Sequence, residues 1–340
     1  MRRLFYPAVG LVAVLNLASL CAFAAIDGTV VNGTAGKPQP GVGITLVKPG
    51  QGGMRTLGST TSDARGHFAF ANDEPGGGPQ LLQASYGQVN YNKLMTPNIR
   101  TSNVELDVYE PTQSPSVVHV EQRMLLLEPN ASQIAVNETL IVQNQSKQTY
   151  NNEALGGMRF YLPPAANGQV RISAQGPQGM PLPRTAEKTS ETDIFKVAFP
   201  IKPGATEFQV TYVLPAGSPF TFRGRDTSIK GMVTGPLRLI APPGVTLAGK
   251  DIQQLGTEPK TQASVYTLTS RGAAFSFDIA GTGTLHNGSD ESPDTSDSPQ
   301  VTEGRPRIYA HLPWLIGLAF GILGVGLVVL FRTSPAQSRS

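Results

Sequence analysis

The chain has 340 residues, 37 of them Gly and 28 Pro, with 39% hydrophobic content, room for about two domains with tails. Its formal charge of +3 is positional: Arg2, Arg3, Arg332 and Arg339 sit at the ends, leaving 23 basic against 24 acidic residues between them, which excludes a basic nucleic-acid surface. The single cysteine, Cys21, lies in the leader, so the rest of the chain offers no disulfide, no thiolate nucleophile and no cysteine-ligated metal.

Residues 1–24 read as a secretory signal. Arg2 and Arg3 form its basic region, Val9 to Phe23 is mostly apolar, and Ala22-Phe23-Ala24 supplies a small-x-small cleavage site. An uncleaved anchor is one alternative. A lipoprotein signal at Cys21 is another, opposed by Leu20 where a small residue is wanted.

Residues 26–110 read as a β-sandwich. Ile26, Gly28 and Val30 alternate, Asn32-Gly33 and Pro38 to Gly41 supply turns, and Val42, Ile44 and Leu46 form the next apolar row. Thr60 to Phe70 reads as strand, tight turn, strand. Asp63 would bond its own turn backbone, Gly66 would take positive φ, and Phe68 and Phe70 would share one face. Leu82, Ala84 and Tyr86 make another strand, and Val104, Leu106 and Val108 close the unit.

The stretches I-x-G-T-V, P-x-P-G-V-x-I-T-L and T-S-D-A-R-G-H-F-A-F together resemble the carboxypeptidase regulatory-like domain over residues 26–109, about a quarter of the chain. The resemblance implies a prealbumin-like sandwich of about seven strands, a fold also grouped with carbohydrate-binding-like domains. It implies an accessory or binding role and no peptidase activity, and it carries no catalytic residue to this chain.

Residues 111–116, PTQSPS, read as a linker. A second β-sandwich of eight or nine strands is expected over 117–283. Its apolar rows are Ile134, Val136, Leu140 and Val142; Val170 and Ile172; Phe195, Val197 and Phe199; Phe208, Val210, Tyr212 and Leu214; and Phe275, Phe277 and Ile279. Residues 284–307 hold five acids and few apolar residues, the composition of a disordered stalk, at ~3.3 Å per residue when extended. Within 308–331, Leu312 to Phe331 is uncharged for twenty residues, the length of a membrane-spanning helix. Tyr309 and Trp314 suit interfacial depth, and Arg332 opens a cytoplasmic tail, 332–340. The expected arrangement is single-pass, with the N-terminal part outside a plasma membrane, by preference the bacterial inner membrane. Gly317 and Gly321 form G-x-x-x-G, a candidate face for a weak homodimer.

Chemistry is sparse. His67 and His119 belong to no metal-ligand pattern. Gly244 to Asp251 approaches a phosphate loop but ends in Asp251, where a Ser or Thr would hold magnesium. The acids at 290, 291, 294 and 297 lack EF-hand spacing. No cofactor or metal is expected. Five N-x-S/T sequons begin at Asn32, Asn130, Asn137, Asn144 and Asn287.

Two stretches read as contact loops. One, Gly176 to Pro183, presents Met180 and Leu182. The other, Phe220 to Arg225, joins Phe220 and Phe222 to the guanidinium groups of Arg223 and Arg225, suited to an anionic or sugar partner. The function expected is therefore non-enzymatic: an envelope protein that presents sandwiches to a protein partner or supports a complex. The alternative is carbohydrate or cell-wall binding through Tyr86, Tyr91 or the 220–225 stretch.

Overall fold

The structure is a computed structural model that describes residues 26–50, 53–71, 78–96, 100–177, 179–217, 220–225, 227, 229–269 and 274–285. The expected signal, membrane span and tail, with Gly317 and Gly321, lie outside these residues, as does the expected stalk beyond Leu285, whose backbone N–H donates to Glu128 Oε1 at 2.7 Å. Among the described residues the chain is all-β, with two 3-10 turns and no helix long and apolar enough to cross a membrane.

Two hydrophobic clusters organise it. The first runs from Ile26 to Val108, between two four-stranded sheets. One sheet has the order Gly53–Thr61, Gly43–Gly50, Gln80–Tyr86, Val89–Met95. The other centres on Ile26–Asn32, which pairs antiparallel with Lys37–Pro38 and His67–Phe70 and parallel with Val104–Val108. Gly28 is required at that parallel seam, since a Cβ there would meet the Val104 carbonyl oxygen at 2.0 Å. The turn before His67 forms as expected. Asp63 Oδ1 accepts from the Arg65 and His67 backbone N–H groups, both at 2.8 Å, and Gly66 takes φ +74°. Those two N–H groups, led by that of His67, hold the Asp63 carboxyl below its ordinary range.

The second cluster runs from Val118 to Ile279. A nine-stranded sheet supplies one wall, in the order Leu182–Arg184, Val170–Gln175, Gly204–Pro215, Gln133–Asn144, Val118–Pro129, Leu237–Ala241, Ser264–Leu268, Ile252–Thr257, with Val233–Thr234 added beside Val118–Pro129. Two three-stranded sheets contribute the other buried side chains. One has the order Met158–Tyr161, Ile194–Val197, Glu187–Lys188; the other has Phe220–Arg225, Ala274–Gly281, Val245–Ala248. The long strands follow a period of two: Ile134, Val136, Leu140 and Val142 are buried, as are Phe208, Val210, Tyr212 and Leu214.

The structure departs from expectation in three places. Strand Ile194–Val197 stops before Phe199, so Phe195 and Phe199 are half-buried flanks of Val197 and not members of one core row. The second region divides into more strands than eight or nine, three of them twelve residues long and several only two to four. The stretch read as a linker is structured: Pro111–Thr112 pairs parallel with Thr149–Tyr150, and Pro115–Val117 forms a 3-10 turn.

Candidate functional site

The 220–225 stretch is a strand, not a loop, and this decides what it can contact. Successive side chains point to opposite faces. Phe222 is therefore buried, stacked on Phe277 at 5.1 Å and on Phe275 at 6.4 Å, while Phe220 is half-buried. Arg223 and Arg225 are exposed on the opposite face. The Phe222 ring, buried in the core, thus forms no exposed platform with these guanidinium groups. Gly224, on the inward side, leaves room for the Phe275 ring, which a Cβ would meet at 2.2 Å. Truncating Phe222 would damage the core rather than a binding face.

Arg225 does reach a cleft. Its guanidinium lies 5.7 Å from the Tyr161 ring centre, and Nη1 donates to the Thr192 carbonyl at 3.4 Å. Tyr161 and Arg225 line a gap with Phe222, Tyr212, Arg123 and Glu138. Within it Arg123 Nε donates to Glu138 Oε1 at 2.7 Å, with the side chains 15% and 4% exposed. Glu138 occupies the inward row between Val136 and Leu140. Burial, reinforced by Glu138, raises the Tyr212 hydroxyl well above its ordinary range. The gap is about 20 Å³, room for roughly one water. It is lined by a paired Arg and Glu and is too small for a small-molecule ligand.

Met180 is elsewhere. Strand Leu182–Arg184 is the outer member of the nine-stranded sheet, and Met180 precedes it, 67% exposed, with Leu182 41% exposed. Just before it, Gly179 N donates to Gly176 O at 3.1 Å, and Gln175 Nε2 donates to Gly179 O at 3.0 Å. Arg184 lies 4.9 Å from the Phe199 ring centre, which ties the edge down. No described hydrogen bond or ring contact links Met180 to the 220–225 strand.

The sequence gives no hint of the junction between the two clusters. Asn32 is buried. Its Nδ2 donates to Glu110 Oε1 at 2.8 Å and to Gln39 Oε1 at 2.9 Å, and its Oδ1 accepts from the N–H groups of Thr34 and Ala35. Tyr86 Oη donates to the same Glu110 oxygen at 2.5 Å. That bond and the one from Asn32 hold the Glu110 carboxyl below its usual range. Burial, with Glu110 second, pushes Tyr86 up to about 12. The Thr34 hydroxyl accepts from Glu110 N and donates to the Lys147 carbonyl, and Thr149 N donates to Glu110 O at 2.9 Å. Tyr91 Oη bonds the Tyr109 carbonyl and Thr149 Oγ1, both at 2.9 Å. Lys202 Nζ donates to the Asn90 carbonyl at 2.6 Å and lies 5.0 Å from the Tyr91 ring centre; burial pushes its pKa down to about 8. Tyr86 and Tyr91, candidates for a sugar platform, are therefore structural members of this junction.

His67 and two of the sequon asparagines have structural positions. His67 is exposed beside its turn, 3.9 Å from Asp27. Asn32 spends its amide hydrogens as above, and Asn144 Nδ2 donates to the Gln148 and Ile201 carbonyls at 2.7 and 2.9 Å, so the folded chain offers neither amide for glycosylation. Val245–Ala248, inside the phosphate-loop look-alike, is a strand and forms no cradle. Among the described residues, no group of three or more His, Cys, Asp or Glu could hold a metal.

No family model and no curated protein matches the chain. Among solved structures it is similar to the M1 zinc metallopeptidase of Deinococcus radiodurans, at 14% identity and a TM-score of 0.26, with 48% of this chain and 42% of that one covered. A mutant of that M1 zinc metallopeptidase aligns equally, and a two-domain M1 zinc metallopeptidase mutant bound to L-tryptophan aligns at 13% identity and the same TM-score. The chain thus spans less than half of these peptidases, and at this level the likeness carries neither fold nor activity to it. Among the described residues the chain is all-β, arranged in several sheets.

Proposed function

We propose that the protein is a non-enzymatic, single-pass protein of the cell envelope, by preference of the bacterial inner membrane, that presents its β-sandwiches to a protein partner. In this reading residues 1–24 direct export, 26–110 form a carboxypeptidase regulatory-like sandwich, 117–283 form a second, 284–307 hold both away from the bilayer, and 308–331 anchor them. The family resemblance adds an accessory role to the first sandwich, and Gly317 and Gly321 offer a face for weak self-association.

The observation that carries the partner-binding reading is the Met180–Leu182 edge. Two large apolar side chains stand in solvent on a hydrogen-bonded turn at the end of a nine-stranded sheet. Isolated exposed apolar residues are common, but two of them together at a sheet edge suit an anchor for a partner's pocket. Pro183 has no N–H to offer a further strand, which favours side-chain docking over strand addition. A photo-reactive amino acid at position 180, activated in native membranes, tests it. The expected result is one adduct of discrete mass, absent when the probe stands at Arg171 on the neighbouring strand. Equal labelling from both positions would count against a specific edge.

A further inference from the structure

We propose that the cleft at the junction of the two clusters is a binding site for a neutral, hydroxyl-rich ligand, a glycan. The cleft measures about 340 Å³ and is lined by Gly87, Gln88, Pro111, Thr112, Gln113 and Asn151. That volume lies within the ~300–1,000 Å³ usual for ligand clefts, and a junction between cores is a common place for one.

Three segments converge there, each fixed by backbone. Gly87 and Gln88 form the two-residue turn between Gln80–Tyr86 and Val89–Met95, with φ +54° and +62°. Glycine is needed at 87, because a Cβ would meet the Pro111 ring at 2.8 Å. Gln88 is different: a non-glycine residue with positive φ is uncommon, and Gly or Asn would fit this turn with less strain. Thr112 and Asn151 are held by the Pro111–Thr112 and Thr149–Tyr150 pairing, where Asn151 N donates to Thr112 O at 2.9 Å. Gln113 is held through its carbonyl, which accepts from Asn152 Nδ2 at 3.1 Å.

Gln88 and Gln113 are exposed and Asn151 is half-buried, so their side-chain amides face the open cleft. Each carries donors and an acceptor, as vicinal hydroxyls do, so an amide fork can satisfy a diol in both senses. No charged residue lines the cleft, which disfavours an ionic ligand. An extended peptide would need a free strand edge or apolar side-chain pockets, and the lining supplies only Gly87 and Pro111 as apolar wall. Without an aromatic platform, the binding is weak and depends on the amides.

The test uses the full chain in a detergent without a sugar headgroup. Cellotriose, chitotriose and maltotriose are titrated to about 10 mM and followed by saturation-transfer difference NMR. At least one should bind. Gln88→Gly and Gln113→Ala should each weaken it about fivefold, and together about 25-fold, the effect of about 1 kcal/mol per lost hydrogen bond. Gln88→Gly keeps positive φ available, so its thermal midpoint should not fall, which separates lost binding from lost folding. Met180→Ser should leave the sugar affinity unchanged. The proposal is overturned if none of the three sugars binds, if the double variant binds within twofold of the wild type, or if penta-alanine binds this cleft in their place.

Discussion

Removing Arg123 is the sharpest perturbation of the second core. Glu138 is 4% exposed on the inward row of Gln133–Asn144, and its described bond partner is the Arg123 guanidinium at 2.7 Å. Two unit charges ~4 Å apart attract by about 4 kcal/mol at an effective dielectric of ~20. Arg123→Met keeps the volume but leaves the carboxylate buried without compensation, so it should cost about 3–5 kcal/mol at pH 7. Glu138→Leu should cost somewhat less, since Arg123, at 15% exposed, can extend toward water. The double variant restores an apolar pair between Val136 and Leu140 and should lie within about 1 kcal/mol of the wild type. Urea unfolding of all four proteins gives the coupling energy directly. Single variants that each cost under about 1 kcal/mol, or a double variant that costs their sum, would refute the reasoning.

Other consequences concern the junction and the unmet polar atoms. Asn32→Ala strands the Thr34 and Ala35 N–H groups and removes one bond from Glu110, so it should destabilise by about 3 kcal/mol, read as a drop in the urea midpoint. Lys202 titrates near 8 in the folded chain and near its ordinary 10.5 when unfolded. The folded state therefore releases its proton first, and stability should rise by about 1 kcal/mol between pH 8 and 10. Above pH 10 the trend should reverse, since Tyr86 and Tyr150, both pushed up to about 12, stay neutral only when folded. Lys202→Met should abolish the rise; a rise that survives it would assign the effect to another group. The Tyr150 hydroxyl is fully buried with no described partner, so Tyr150→Phe should be neutral or stabilise by about 1 kcal/mol in thermal unfolding. A loss of 2 kcal/mol or more would mean that the hydroxyl has a partner after all.

Much of the fold is written locally. The Asp63–Gly66 turn is specified by one carboxylate and one glycine, and the rows of Gln133–Asn144 and Gly204–Pro215 follow the pleat. The same rule, applied to 220–225, would have sent Phe222 inward and Arg223 outward; reading the segment as a loop concealed that. Glu138 was visible as an acid within an apolar row, but its partner Arg123 lies on another strand and has no periodic signature. The junction was not legible. Thr34 meets Lys147 across 113 positions, through a hydroxyl and a carbonyl that leave no pattern in either segment. The order within 111–116 has the same origin: Pro and Ser suggest a spacer, while a parallel pairing with Thr149–Tyr150 depends on residues far along the chain. The cleft's amides were equally silent, since Gln and Asn at exposed positions carry no signal until the fold brings three of them together.

The central claim is that the Met180–Leu182 edge docks a protein partner, and charge placed on that edge tests it most directly. Met180→Asp with Leu182→Asp alters exposed side chains only, so the thermal midpoint should hold within about 2 °C. Native gel electrophoresis of solubilised membranes should show the wild type in a complex larger than the chain alone and the double variant released from it. A double variant that folds, reaches the membrane and stays in the same complex would contradict the claim.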